Sequence, residues 1–384
     1  MKTLRLLLCM LLCLPIILLP CRALALAPLR DDDIRIAAPS AILMEKITGQ
    51  VLYEKDADAR LLPASVTKVM TLLLIVEDIE AGKLALDDVV TASPRAASFG
   101  GSCVYLEEGE QMSVHEMLKC ITVASANDCA VAMAEHISGT EGLFVERMNA
   151  RAEELGLQNT HFSNCTGLFE DEGHYSSARD IALMSRELIS HLLIKDYSTI
   201  WMDSIRGGSF GLSNTNKLVR FYRGCTGLKT GYTSSAGHCL SASAERDGME
   251  LIAVVLHCAS SAERFSSAKA LLDYGFANYA LVPLEPEEAA VPIRLGAESE
   301  LVPVPADGSP ILIEKARRGD IRQETELLPE LDAPIEEGEQ LGTLRVYAGD
   351  EEIASMPLVA PYAVERLGFW AIARRMLGAI CLGA

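Results

Sequence analysis

Ser65 and Lys68 are the first side chains in this sequence whose types and spacing could support chemistry. They open the apolar run 69–76, which is typical of a buried helix, and residues three apart on a helix share one face. Partial desolvation of Lys68 would favour its neutral amine, which could take the hydroxyl proton of Ser65. The pair would then supply a nucleophile without a histidine, although the same pattern also arises by chance at the start of a surface helix.

Two further short patterns occur later in the chain. Ser125 and Asn127 come 60 residues after Ser65, in an expected bend between two helical segments, and Lys229-Thr230-Gly231 comes a further 104 residues on. Each pattern alone is weak evidence because short combinations of common residues arise by chance. Their order and spacing together predict one site built from three separate segments.

The elements that must position these residues mix the patterns of strands and helices. Strand patterns occur at both ends of the region, at residues 41–44, 51–53, 239–244 and 251–256. Helical patterns begin after Ser113 and cover residues 140–155, 176–193 and 261–274. Asp247-Gly248 also predicts a hairpin turn between the last two strands. We therefore expect one α+β domain over residues 28–277 whose sheet is assembled from distant segments.

The first 27 residues predict a secretory signal peptide. Lys2 and Arg5 precede a long apolar run, and small-residue cleavage patterns end at Ala25 and at Ala27. Removal of residues 1–27 would change the formal charge from −19 to −22, because three basic residues and no acids are lost. Such acidity argues against a nucleic-acid partner.

The metal-binding residue types show no metal-site spacing. Eight cysteines would stay in the mature chain, without a CxxC pair and mostly within apolar runs. The cysteines are therefore expected to be small buried side chains rather than a metal cluster or a disulfide framework. One disulfide stays an open alternative. The seven histidines include no HExxH, so we expect neither a metal nor another cofactor.

The amino-acid composition changes near residue 280. Residues 281–360 carry 18 acids against 6 bases, and short alternating stretches such as 291–295, 311–313 and 344–347 are separated by turn residues. These features predict a small β domain over 278–361, to which we assign a spacer or docking role.

Residues 362–384 predict a C-terminal amphipathic helix. From Gly368 onward, apolar residues recur at helical spacing while Arg374 and Arg375 point away from them. The segment is short and charged for a membrane span, so we expect it to lie in a membrane interface. The alternative is a terminal helix docked on its own protein.

The motifs resemble those of low-molecular-mass penicillin-binding proteins of the D-alanyl-D-alanine carboxypeptidase family. The resembling stretches are Pro63–Thr71, Ala124–Asp128 and Gly227–Thr233, and the order of domains is similar along nearly the whole chain. The middle motif is Ser-Ala-Asn rather than the Ser-Asp-Asn of class A β-lactamases, which favours the carboxypeptidase branch. The resemblance implies a β-lactamase/transpeptidase-like domain, with an antiparallel sheet flanked by helices.

The resemblance also implies roles for the motif residues. Ser65 would attack the carbonyl between the two terminal D-alanines of a peptidoglycan stem peptide, with Lys68 as the base. Ser125 would pass a proton to the leaving amine, and Asn127 would hydrogen-bond Lys68 and the substrate amide. Lys229 would attract the terminal carboxylate and help to keep Lys68 neutral.

Further residues would complete the substrate site. Thr230 would bind the carboxylate, and Gly231 would let the substrate backbone lie close to its strand. The N–H groups of Ser65 and Tyr232 would form the oxyanion hole. Arg264 would help to hold the carboxylate, the alternative being an exposed ion pair at a helix start.

Other polar residues receive smaller roles. His174 and Asp180 lie in a stretch that also resembles the family, and we expect them to support the site. Glu170 and Glu172 lack the Glu-plus-Asn context of the deacylating glutamate in class A β-lactamases, so efficient β-lactam hydrolysis is not expected.

The sequence therefore predicts an exported serine D-Ala-D-Ala carboxypeptidase at the extracytoplasmic face of the bacterial cell membrane. Its expected partners are peptidoglycan stem peptides, β-lactams as inhibitors, and the membrane surface through the C-terminal helix; no protein partner can be named. Two alternatives stay open. One is a DD-endopeptidase that cuts cross-links, and the other is a non-catalytic penicillin-recognising sensor or wall-binding scaffold.

Overall fold

A computed structural model of the chain describes residues 34–374, apart from Glu170 and Glu288. The expected signal peptide, Glu170 and the end of the expected C-terminal helix therefore lie outside the described residues. The described part divides into two compact units. The first contains residues 34–281 with Leu312–Lys315, and the second contains Val282–Ile311 with residues 316–374.

The first unit contains both strands and helices. Its strands are β1 (Ser40–Glu45), β2 (Val51–Lys55), β3 (Val89–Thr91), β4 (Gln111–Ser113), β5 (Met202–Ile205), β6 (Phe210–Ser213), β7 (Cys225–Thr233), β8 (Gly237–Arg246), β9 (Met249–Cys258) and β10 (Tyr279–Val282). Its helices are α1 (Lys68–Glu80), α2 (Pro94–Ala97), α3 (Val114–Lys119), α4 (Asn127–Ser138), α5 (Glu141–Glu154), α6 (Ala178–Ser190), α7 (Leu193–Ser198), α8 (Leu218–Phe221) and α9 (Ser261–Asn278). Shorter helical turns are Ala64–Thr67 and Arg206–Gly208, both 3-10, and Cys120–Ala124, a π turn.

The main sheet is antiparallel, with the strand order β2-β1-β9-β8-β7. The hairpin near the N-terminus therefore pairs with a strand about 200 residues further on, and Ser40 lies opposite Leu256. Both hairpins predicted from the sequence are present, and the predicted α+β class is confirmed. One of the two edge strands of this sheet is β7, which carries Lys229, Thr230 and Gly231.

Both faces of the sheet are covered. Along β9, the even-numbered residues from Ile252 to Leu256 belong to one hydrophobic core, and the odd-numbered residues from Leu251 to Val255 belong to another. This division follows from the alternation of side chains along a strand. It explains why the strand is a continuous apolar run, since a strand buried on both faces has no polar side.

α1 runs through the larger of these cores. Ten of its 13 residues are buried, and its apolar side chains are spread around the helix rather than confined to one stripe. A helix that is hydrophobic all round is stable only inside a protein. The start of α1, at Lys68, is thereby fixed in the interior.

The second unit is built from short strands. These are β11 (Val291–Arg294), β12 (Glu300–Leu301), β13 (Val304–Pro305), β15 (Ile321–Leu327), β16 (Leu331–Asp332), β17 (Gln340–Ala348) and β18 (Glu351–Val359). β14 (Ile311–Glu314), three of whose four residues belong to the first unit, pairs with β10 of that unit. A small core of its own includes Val291, Leu301 and Leu341. The C-terminal β domain predicted from the sequence is confirmed.

The described chain ends in a helical segment, residues 369–374. Gly368 accepts hydrogen bonds from the backbone N–H groups of Ala371 and Ile372, which begin the helix. Among residues 34–374, no helix is long and apolar enough to cross a bilayer.

Candidate active site

Ser65 lies in the 3-10 turn Ala64–Thr67, and Lys68 begins α1 directly after it. The pair thus lies at the junction of the turn and the helix, rather than within one continuous α-helix. Ala64 has a φ of 47°, which is unfavourable for a residue that carries a side chain. Backbone strain of this kind persists only where surrounding contacts maintain it, so the turn is held by its environment.

The side chain of Lys68 is fully buried and reaches Ser65. Its Nζ lies 3.1 Å from Ser65 Oγ, 2.6 Å from Asn127 Oδ1 and 2.9 Å from the carbonyl oxygen of Thr166. The oxygens of Asn127 and Thr166 can only accept hydrogen bonds. They can take both N–H groups of a neutral amine, whose lone pair then faces Ser65 Oγ. The geometry suits a base that accepts the Ser65 proton.

Burial lowers the pKa of Lys68 to about 7, although the negative charge that Cys165, Cys103 and Asp128 can carry acts in the opposite direction. Removal from water disfavours the charged form of an amine. A large fraction of Lys68 is therefore neutral at neutral pH, as a general base requires. Positive charge on Lys229 was expected to contribute to this effect, whereas burial is the main cause in the structure.

Ser125 and Lys229 form a second serine–lysine pair. Lys229 Nζ donates to Ser125 Oγ at 2.6 Å and to the carbonyl oxygen of Thr230 at 3.1 Å. Ser125 follows the π turn and has a φ of 64°, a left-handed conformation that turns the chain into α4. Burial lowers the pKa of Lys229 well below its usual value, and positive charge on Lys68 and Arg264 lowers it further. A bound anion would reverse this shift.

Asn127 connects the serine–lysine pairs to a neighbouring loop. Its Oδ1 faces Lys68, its Nδ2 donates to the carbonyl oxygen of Gly100 at 2.8 Å, and its backbone N–H donates to that of Ser102 at 2.7 Å. These bonds orient the amide group so that its oxygen faces Lys68.

Gly231 lets β7 approach the turn that carries Ser65. A Cβ atom at this position would lie 2.8 Å from the carbonyl oxygen of Pro63 and 3.0 Å from the backbone nitrogen of Ser65. Real Cβ atoms are essentially never found closer than 3.0 Å to another heavy atom. The packing of the site itself therefore requires a glycine here, whereas the reason expected from the sequence was the approach of the substrate.

Thr230 and Tyr232 alternate with these residues along β7. Thr230 is buried, and its Oγ1 donates to Thr215 Oγ1 at 2.8 Å. The Tyr232 side chain is exposed and stacks on the ring of His238, with the ring centroids 4.3 Å apart. The oxyanion role expected of the Tyr232 N–H stays a prediction.

Arg264 lies near the start of α9 and is buried rather than exposed. Its Nη1 donates to the carbonyl oxygens of Gly231 at 3.0 Å and Cys239 at 3.2 Å, and its Nη2 donates to Ser261 Oγ at 3.3 Å. The alternative of an exposed ion pair is therefore excluded. Burial lowers the pKa of Arg264, and the guanidinium supports the strand β7 from beneath the site.

The segment 164–167 contacts the site and was missed in the sequence. Asn164 Oδ1 accepts hydrogen bonds from the backbone N–H groups of Thr166 and Gly167 at 3.1 and 2.7 Å, which forms an Asx-type turn. The turn presents the Thr166 carbonyl to Lys68. The Asn-x-Thr-Gly sequence was a possible signal for a turn, but nothing in it indicates a contact with Lys68.

Glu77, Glu187 and His191 form a cluster that could hold a metal ion. Arg151 Nη2 lies 2.7 Å from Glu77 Oε1 and 2.6 Å from Glu187 Oε1, so one guanidinium already forms ion pairs with both carboxylates. The seven cysteines between residues 34 and 374 are all free thiols.

The fold and the three motifs are those of penicillin-recognising serine peptidases. Residues 27–260 match the family model described as D-alanyl-D-alanine carboxypeptidase. Residues 287–366 match the model described as penicillin-binding protein 5, C-terminal domain. The chain belongs to the D-alanyl-D-alanine carboxypeptidase family.

Individual relatives support the same assignment. D-alanyl-D-alanine carboxypeptidase DacF of Bacillus subtilis (strain 168) is 42% identical over 91% of either chain. The crystal structure of penicillin binding protein 5 from Haemophilus influenzae matches with a TM-score of 0.76 at 30% identity, over 89% of this chain and 100% of that one. A D-alanyl-D-alanine endopeptidase of Pseudomonas aeruginosa (strain PAO1) is 32% identical over 56% of this chain and 68% of its own length. The family and the enzyme class predicted from the motifs are confirmed.

Proposed function

We propose that this D-alanyl-D-alanine carboxypeptidase acts through an acyl-enzyme on Ser65, with Lys68 as the base, on pentapeptide stems of peptidoglycan. The observation that carries the proposal is the surroundings of Lys68 Nζ. This atom is buried, lies 3.1 Å from Ser65 Oγ and meets two further oxygens that can only accept. The lone pair of a neutral amine in this position faces Ser65 Oγ, where it accepts the Ser65 proton.

Acylation would proceed in two bond changes. Ser65 Oγ attacks the carbonyl carbon of the penultimate D-alanine while its proton moves to Lys68 Nζ, and the oxyanion forms against the N–H groups of Ser65 and Tyr232. The C–N bond then breaks, and the leaving nitrogen receives through Ser125 the proton that Lys68 took from Ser65, which returns Lys68 to its neutral form. Free D-alanine departs and the shortened peptide stays on Ser65 as an ester.

The terminal carboxylate would bind at Lys229 and Thr230. Lys229 is buried and its pKa is lowered, so a carboxylate beside it would favour the charged form of the amine and gain a strong electrostatic contact. Asn127 would hydrogen-bond the substrate amide in addition to Lys68. Arg264 assists from behind the strand by its bonds to the carbonyl oxygens of Gly231 and Cys239.

Deacylation would use the same base. Between residues 34 and 374, apart from the two undescribed glutamates, no carboxylate is hydrogen-bonded to Ser65, Lys68 or Asn127. Once Lys68 is neutral again, it can take a proton from water as that water attacks the ester. β-Lactams would acylate Ser65 in the same way and leave slowly.

The release of D-alanine from a peptide ending in D-Ala-D-Ala tests the proposal. Ser65→Ala and Lys68→Ala should each abolish release, because they remove the nucleophile and its base. Ser266→Ala is the matched control, since this serine is exposed on α9 and bonds only the carbonyl oxygen of Glu263. Release by Ser65→Ala at the wild-type rate would refute the assignment.

Two alternatives predict different products. A DD-endopeptidase would cut cross-linked muropeptides at least as fast as it trims pentapeptides, which chromatography of the digested muropeptides measures. A non-catalytic sensor or scaffold would bind penicillin without releasing D-alanine. The serine–lysine geometry favours an enzyme over a non-catalytic sensor or scaffold.

The same protein would act outside the cytoplasm, held at the membrane surface by its C-terminal helix. Phe369 and Trp370 support this proposal, because 75% and 81% of their surfaces are exposed next to the basic Arg374. We expect Phe369→Ala/Trp370→Ala, and truncation after residue 361, to reduce sedimentation of the mature chain with anionic lipid vesicles. Phe221→Ala, which removes another exposed aromatic ring, is the control. Unchanged sedimentation of both variants would exclude the helix as the anchor.

A further inference from the structure

His174 is a buried histidine outside the reacting groups, and its hydrogen bonds lead to the turn that carries Ser65. Its Nδ1 accepts a hydrogen bond from the backbone N–H of Ser163 at 3.1 Å. Its Nε2 lies 2.8 Å from Thr67 Oγ1, and Thr67 Oγ1 lies 2.8 Å from the carbonyl oxygen of Ala64. These contacts form a continuous line of hydrogen bonds.

The direction of this line is fixed at both ends. A backbone N–H can only donate, so Nδ1 of His174 is unprotonated and the neutral ring carries its proton on Nε2. A carbonyl oxygen can only accept, so the hydroxyl of Thr67 donates to Ala64. Nε2–H of His174 must therefore donate to Thr67 Oγ1. Burial lowers the pKa of His174 to about 4, with Asp171 opposing and His161 assisting, so the ring stays neutral at neutral pH.

The last acceptor in the line belongs to the peptide group that contains the Ser65 N–H. A peptide group is planar, so a fixed Ala64 oxygen also fixes the direction of the Ser65 N–H. Ala64 is the strained residue of the turn, with a φ of 47°. Gly167 is packed against it so closely that a Cβ there would lie 1.9 Å from the Ala64 oxygen and 2.6 Å from Thr67 Oγ1.

The backbone around His174 is tied to the same segment. Ser176 exchanges two backbone hydrogen bonds with Leu61, at 2.8 and 2.9 Å, four residues before Ser65. The backbone next to His174 is thereby held in place relative to the segment that leads to Ser65 and Thr67.

We propose that His174 and Thr67 are positioning residues for acylation, which hold the Ala64 carbonyl so that the Ser65 N–H points at the oxyanion of the transition state. The proposal rests on the proposed function, because it concerns the acylation of Ser65. A misdirected oxyanion donor weakens binding of the transition state and leaves ground-state binding nearly unchanged. Loss of the line should therefore slow acylation and leave the affinity for the inhibitor unaltered.

Two pairs of variants test this. Thr67→Val and His174→Phe keep the shape but remove a link, whereas Thr67→Ser and His174→Gln keep a hydroxyl or an N–H donor. Single-turnover acylation by a chromogenic β-lactam, measured over a range of concentrations on the mature chain, separates the limiting rate from half-saturation. We expect the first pair to lower the limiting rate roughly 10- to 100-fold, with half-saturation changed less than about twofold. The second pair should stay within about threefold of wild type.

The pH profile separates positioning from general damage. Neither side chain is hydrogen-bonded to Lys68 Nζ, so the apparent pKa of acylation should stay near its wild-type value in all four variants. A loosened core would admit water to Lys68 and move that pKa toward 10.5.

Wild-type limiting rates in Thr67→Val and His174→Phe would overturn the proposal. A limiting rate in Thr67→Ser as low as that in Thr67→Val would also overturn it. So would a variant whose apparent pKa of acylation moves toward 10.5. If either Thr67→Val or His174→Phe does not fold, the other variant alone tests the proposal, because both remove a hydrogen bond from the same line. If wild-type Ser65 is not acylated at all, the proposed function itself fails, which the wild-type control reveals before any variant is compared.

Discussion

Lys229 Nζ lies 2.6 Å from Ser125 Oγ, and both side chains are buried. This contact gives the site two serine–lysine pairs, since Lys68 Nζ lies 3.1 Å from Ser65 Oγ. Two buried amines close together are not both charged at neutral pH without an anion beside them. Under the proposed mechanism the two pairs have different roles: Lys68 acts as a neutral base, and the charged form of Lys229 binds the substrate carboxylate.

The rate of acylation should rise with pH through an apparent pKa of about 7. Lys68 accepts the Ser65 proton only as a neutral amine, and its pKa is lowered to about 7, so the reactive fraction grows as pH rises through that value. The measurement is kcat/KM for a D-Ala-D-Ala peptide from acidic to alkaline pH. A flat profile would exclude Lys68 as the base.

Asn127→Asp should move this rise to higher pH. The substitution puts a carboxylate next to Lys68 Nζ, where Asn127 Oδ1 now lies at 2.6 Å, and an opposite charge at that distance raises the pKa of an amine by about 1–3 units. Activity should fall at neutral pH and recover in alkali. Asn127→Ser, which adds no charge, should lower the rate without the same displacement. Equal displacements in both variants would contradict an electrostatic cause.

Gly231→Ala should impair acylation by pushing β7 away from the turn of Ser65. Its Cβ would lie 2.8 Å from the Pro63 oxygen and 3.0 Å from the Ser65 nitrogen, so one segment must move, and a displacement of about 1 Å at a reacting group can cost roughly 100-fold in rate. Gly211→Ala is the control, because a Cβ at that strand position meets no atom within 4 Å. Normal acylation by Gly231→Ala would show that the approach is not needed.

Much of this arrangement could be predicted from the sequence because it is encoded locally. The motif residues at Ser65, Ser125 and Lys229, the two hairpins and the α+β class follow from short patterns and periodicity. The strain at Ala64 and the contact of Thr166 with Lys68 could not be predicted, since they depend on how the segment 164–167 packs beneath the turn.

The surroundings of Arg264 show the same limit. Its position in the sequence indicated a basic residue near the site, but its partners are carbonyl oxygens of Gly231 and Cys239 on neighbouring strands. Such bonds cannot be recognised in the sequence, because every residue has a backbone carbonyl oxygen.

Arg264→Leu should slow the reaction whether or not the substrate has a terminal carboxylate. The guanidinium donates to the carbonyl oxygen of Gly231, so its loss removes a charged hydrogen-bond donor that supports the strand, at a cost of about 1.5–3 kcal/mol. The measurement compares kcat/KM for peptides ending in D-alanine and in D-alaninol. Thr230→Val is the comparison, because its loss should shrink with the alaninol peptide. If the Arg264→Leu loss also shrinks, Arg264 binds the carboxylate directly.

The most direct test of Ser65 as the acylated residue is peptide mapping by mass spectrometry after brief exposure of the mature protein to penicillin. We expect one inhibitor mass added to the peptide that contains Ser65, strongly reduced labelling in Lys68→Ala, and none in Ser65→Ala. An adduct on another residue, or undiminished labelling of Ser65→Ala, would contradict the proposed mechanism.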